Sequence, residues 1–140
     1  MIMRYPYLFA TVVAFTAITG LAQAQDVNTA KGWQSGIHRT DLLRQDLCAP
    51  GQEVIQARVD IDPGIASPRH SHPGEEVAYV LEGTFEYQLE GRPPITLKAG
   101  DSLFIPAGVA HVAKNIGASK ASELATYVVR KGEPLLKLEQ

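Results

Sequence analysis

Gly64-Ile65-Ala66-Ser67-Pro68-Arg69-His70-Ser71-His72-Pro73-Gly74-Glu75-Glu76-Val77-Ala78-Tyr79-Val80-Leu81-Glu82-Gly83 is the stretch on which the reading of this 140-residue chain turns. Two histidines stand two residues apart, and on an extended strand that spacing puts both rings on one face. Glu76 follows four residues after His72, beyond a Pro73-Gly74 pair that lets the chain turn back toward them. Imidazole nitrogens and one carboxylate oxygen form a borderline donor set, suited to a divalent transition metal rather than to calcium.

A second segment has the same punctuation. It runs from Gly100 through Pro106-Ala107-Gly108 to His111 and Asn115. Gly64, Gly83 and Gly100 fall at turn positions, where a positive φ is expected. Pro106 and Gly108 shape the turn that delivers His111. His111 must reach the other ligands from a different strand, which the interior of a barrel allows and a flat open sheet does not.

Outward from these segments the pattern is β. Glu53 to Ile61 alternates, with Ile55, Ala57, Val59 and Ile61 on one face and Gln56, Arg58 and Asp60 on the other. Asp62-Pro63-Gly64 makes a turn. Further strands are expected over 77–81, 84–89, 95–98, 102–105, 109–113 and 124–129, and the tail 134–138 can add an edge strand or reach a partner subunit. No segment from residue 25 onward sustains a helical period. Many short strands divided by Gly/Pro turns give an all-β sandwich or barrel.

Read together, the two punctuated segments resemble both conserved motifs of the cupin superfamily, separated by 16 residues. The resemblance is detailed over about 53–115 and looser across the rest of the mature chain, with the barrel domain over 37–140. It implies a double-stranded β-helix, or jelly-roll barrel, in a single domain. Position by position, it implies that the metal ligands are His70, His72, Glu76 and His111, none of them substituted. Three imidazoles and one carboxylate leave positions open for water, dioxygen or substrate, whereas a structural zinc is usually closed by four protein ligands. The ligand set does not separate iron, manganese, nickel, copper, cobalt and zinc.

The resemblance further implies a metal-dependent enzyme acting on a small organic molecule, either dioxygenase-like or a redox-neutral isomerase, lyase or decarboxylase. The alternative is a non-catalytic cupin whose metal anchors a small-molecule ligand. No catalytic residue is assigned; Tyr79, Tyr87 or Gln56 acting with water are candidates for a general base. His38 matches no motif and reads as a surface or strand histidine. Arg69 reads as a surface residue, and Glu75 faces away from Glu76 into solvent. A homodimer is expected from the family and from strand edges that need cover.

The first 24 residues read as a secretory signal peptide. Arg4 is followed by an uncharged stretch from Tyr5 to Gln25, with Ala22-Gln23-Ala24 as a cleavage site after Ala24. An uncleaved anchor is the alternative, but Thr11, Thr16, Thr19 and Gly20 dilute the apolar run. Export to a bacterial periplasm or beyond is therefore expected, without stable membrane insertion after cleavage. Residues 25–36 read as an N-terminal arm with Trp33 as a docking residue. The formal net charge of −2, with no Lys/Arg stripe, argues against nucleic acid as a partner. Cys48, the one cysteine, is expected to be buried and inert, or else able to bridge two subunits.

Overall fold

The computed structural model describes residues 35–140. The leader, Trp33 and almost all of the expected arm lie outside them. Ten strands follow in order: β1 (Ile37–Asp46), β2 (Gln52–Ile61), β3 (His70–Ser71), β4 (Gly74–Glu82), β5 (Thr84–Leu89), β6 (Ile95–Lys98), β7 (Ser102–Ile105), β8 (His111–Asn115), β9 (Ala121–Arg130) and β10 (Lys137–Leu138). No helix occurs among the described residues. The strands form two five-stranded antiparallel sheets, ordered β1-β2-β9-β4-β7 and β10-β3-β8-β5-β6.

Alternation closes the two sheets on each other. In β4 the even-numbered residues Glu76, Ala78 and Val80 are buried, while Val77, Tyr79 and Leu81 face out. Phe85, Tyr87 and Leu89 do the same for β5 in the opposite sheet. One core cluster joins Ile61, Ala78 and Val80 of the first sheet to Phe85, Tyr87, Leu97 and Ala113 of the second. A smaller one gathers Ile55, Ala125, Tyr127 and Val129, with Leu135 packed against it. The burial of these side chains from both inner faces holds the barrel closed.

Glycine is needed where the chain changes sheets. A Cβ on Gly74 would stand 2.0 Å from the Val128 carbonyl oxygen, so only glycine lets the start of β4 lie against β9. Gly83 has φ 81°, and its missing side chain leaves room for Ala121. Asn115 is a structural residue. Its buried amide donates to the Ile61 and Ser119 carbonyls, and its oxygen accepts from Gly117 N–H.

Two expectations need correction, and one strand was not singled out in the sequence. Ile37–Asp46 is a ten-residue strand, although its sequence shows no two-residue alternation. Only Ile37 is buried, and pairing with β2 at the sheet edge forms the strand. Its charged outer residues suit an edge that must not recruit further strands. Cys48 is exposed in the β1–β2 connection, not buried. Finally, β3 ends at Ser71, so His70 and His72 do not share one strand; His72 lies where the chain bends at Pro73 into the other sheet.

Candidate metal centre

The bend at Pro73 brings candidate ligands from both sheets around one point. His70 on β3 and His111 on β8 are direct cross-strand partners. His72 follows β3, and its carbonyl accepts from Gly108 N–H at 3.0 Å, which ties it to the Pro106–Gly108 turn. Glu76 reaches in from β4 of the other sheet, where it lies between Tyr127 and Ile105 in the register. All four side chains are buried. The three histidines offer ring nitrogens that lie within 4.8 Å of one another, and these three could hold a metal ion.

The outer nitrogens are already engaged. His70 Nδ1 meets the Pro68 carbonyl at 2.8 Å, His72 Nδ1 the Leu135 carbonyl at 2.7 Å, and His111 Nδ1 the Val109 carbonyl at 3.0 Å. A carbonyl only accepts, so each ring donates its Nδ1–H there and Nε2 is the nitrogen available for coordination. Glu76 Oε2 lies 3.0 Å from His72 Nε2 and 3.3 Å from His111 Nε2. In neutral rings these contacts bring lone pairs face to face. His72 Nε2 and Glu76 Oε2 are the two buried side-chain polar atoms without a hydrogen-bond partner among the described residues. A cation there would satisfy both atoms, and the donor set fits a divalent ion.

Electrostatics prepare the same state. Burial, together with the neighbouring His111 and His72, lowers His70 from 6.5 to about 4, so it is neutral at pH 7. Burial pushes the Glu76 carboxyl up, but the ring nitrogens of His111 and His72 outweigh it and hold the group at about 2.

The cavity at this cluster carries groups beyond the four. Tyr87 and Glu123 line it, and the Tyr87 hydroxyl donates to Glu123 Oε2. Burial and the nearby Glu76 charge raise Glu123 to about 8. Tyr127 packs edge-on against His72 with ring centroids 4.7 Å apart, and Arg39 from β1 stands at the cavity wall. Of the three candidate bases only Tyr87 is at the site. Tyr79 is on the outer face of β4, and Gln56 faces out of β2 toward Thr126. Glu123 was missed because the expected strand started at Leu124. Extended by one turn of the alternation, it places Glu123, Ala125, Tyr127 and Val129 on the inner face. His38 is exposed, Arg69 pairs with Glu90 at the surface, and Glu75 is solvated, as their spacing implies.

The profile described as "Cupin domain" matches residues 57–135, more than half of the chain. The chain belongs to the cupin family. Curated relatives of this cupin include dimethylsulfoniopropionate lyase DddQ of Ruegeria pomeroyi, 41% identical over 51 residues, which are 36% of this chain and 25% of that protein. Germin-like protein subfamily 2 member 2 of Arabidopsis thaliana is 40% identical over 79 residues, 53% of this chain and 36% of that one. The cupin thus spans only a quarter to about a third of these relatives. Among solved structures, DMSP lyase DddQ from Ruegeria pomeroyi superposes with a TM-score of 0.64 at 24% identity, covering 81% of this chain and 57% of that one. That likeness supports the double-stranded β-helix fold.

Proposed function

We propose that His70, His72, Glu76 and His111 hold one divalent transition-metal ion and that this cupin is a metal-dependent enzyme acting on a small organic molecule. The observation that carries the reading is the set of three imidazoles, each held at Nδ1 by a backbone carbonyl, converging with a buried carboxylate in one cavity. A divalent ion bound there would supply Lewis acidity and open positions for water, dioxygen or substrate.

The chain's own residues favour the redox-neutral branch of that chemistry, such as a lyase, isomerase or decarboxylase. Burial raises the Glu123 carboxyl to about 8, and this group meets the Tyr87 hydroxyl inside the cavity. A buried carboxylic acid beside a metal cavity can return or remove a proton during turnover. Lyase chemistry is also what the name of the DddQ relative carries, over a shared segment that is a quarter of that protein. Turnover of a phenol, keto acid or sugar substrate that disappears in His111→Ala supports an enzyme. Tight ligand binding without turnover across a metal series would make it a binding cupin instead.

Export after cleavage behind Ala24 and a homodimer belong to the same proposal. Val77 and Phe104 are register partners on the outer sheet face, and both are exposed beside Tyr79. Such an apolar patch suits a second copy. Sedimentation of the mature protein as a monomer alone would remove the dimer, and an uncleaved N-terminus on secreted protein would remove the cleavage site.

A further inference from the structure

Arg39 is the one Lys or Arg side chain lining the metal-site cavity among the described residues. It reaches there by register. Arg39 pairs with Val59 across β1–β2, and both residues line the cavity with Ile37. Its side chain is 27% exposed, whereas that of its partner Asp41 is 75% exposed. The Asp41 contact, 2.7 Å to Nε, therefore anchors the guanidinium at the cavity rim. The guanidinium carbon sits 5.5 Å from the centroid of the Tyr127 ring, and that ring packs on His72. An arginine placed only for surface pairing has no need to lie over an aromatic ring beside a histidine cluster.

We propose that Arg39 is the anion-recognition residue of this cavity and that the substrate is a small organic carboxylate. The ligand's carboxylate meets the guanidinium, and its reacting end points past Tyr127 toward the histidine cluster. Guanidinium geometry suits a carboxylate, through charge-assisted hydrogen bonds. Size agrees as well. The cavity is small, about 40 Å³, and favours a short acid over a bulky one. Ile37, Val59 and Leu136 line its apolar side, where the hydrocarbon part of such an acid would lie.

This inference deepens the metalloenzyme reading and rests on it, so the experiment separates the two. The protein is loaded with Mn²⁺, and paramagnetic broadening of ligand methyl protons is measured for propionate and pyruvate and for the neutral propionamide. The wild type should bind the two carboxylates and take propionamide about 10-fold more weakly. Arg39→Gln should bind the carboxylates about 10-fold more weakly than wild type, with Mn²⁺ affinity and propionamide binding unchanged. Arg39→Lys should fall between them. Equal carboxylate affinity in wild type and Arg39→Gln overturns the proposal, because the metal alone would then hold the anion. Failure of the wild type to bind either carboxylate overturns it too. Should neither Mn²⁺ nor Zn²⁺ nor Co²⁺ bind, the metal reading falls, and calorimetry on the metal-free protein decides the role of Arg39. Propionate must still bind there more weakly to Arg39→Gln, or this inference falls as well.

Discussion

His72 Nε2 and Glu76 Oε2 stand 3.0 Å apart, both buried, while His72 Nδ1 gives its proton to the Leu135 carbonyl. Something positively charged belongs between them. A metal ion that takes this place must displace any proton held between ring and carboxylate. Metal binding at neutral pH should therefore release protons. Calorimetric titrations in two buffers of different ionisation enthalpy measure this directly. Heats that do not depend on the buffer would show that no proton occupies the gap, and Glu76→Gln should reduce the release.

The metal-free fold should lose stability as pH falls from about 6.5 to about 4. His70 is lowered to about 4 in the folded chain, so across this window the unfolded chain binds the proton first. The stabilisation is present above the ordinary histidine value and lost on acidification. A shift of this size corresponds to about 3 kcal/mol. Denaturant midpoints across the window test it, and His70→Phe should flatten the slope. An unchanged slope in that variant would contradict the assignment.

Glu123 should act with the opposite sign. Its folded value is raised to about 8, so its contribution is fully present below the ordinary carboxylate value and is lost as pH rises toward 8. Glu123→Gln keeps an acceptor for the Tyr87 hydroxyl and removes the titration. The variant should gain stability over wild type between pH 5 and pH 8 and should lose turnover. A wild-type pH profile in the variant would mean that Glu123 is already ionised.

The parts of this molecule legible in its sequence were those governed by local rules. β5, β6 and β7 fall where two-residue alternation and Gly/Pro turns put them, over 84–89, 95–98 and 102–105. The four residues His70, His72, Glu76 and His111 are found together because motif spacing within two short segments delivers them. Arg39 and Tyr127 could not be read this way. Each reaches the cavity through pairing across the barrel, Arg39 opposite Val59 and Tyr127 opposite Glu76, and such register depends on partners far away in sequence. β1 escaped notice for the same reason, since its exposed faces carry no hydrophobic period. Glu123 was one residue outside a strand whose inner face it shares.

The C-terminal tail should tune metal affinity. Leu135 supplies the carbonyl that orients His72, and β10 pairs Lys137 with Ser71 and Leu138 with His70. Ser71 Oγ also donates to Glu139 at 2.7 Å. Ending the chain after Gly132 removes the partner of His72 Nδ1 and should weaken metal binding by about 10- to 100-fold. Competition against a metal chelator measures this. Undiminished affinity in the shortened protein would show that His72 is oriented without the tail.

The most direct test of the whole account is the metal content of the mature protein purified without a metal-binding tag, by elemental mass spectrometry, beside the double variant His70→Ala, His72→Ala. The account predicts about one divalent transition-metal ion per chain in the wild type, with the double variant close to none. A trace content that is the same in both proteins would contradict it.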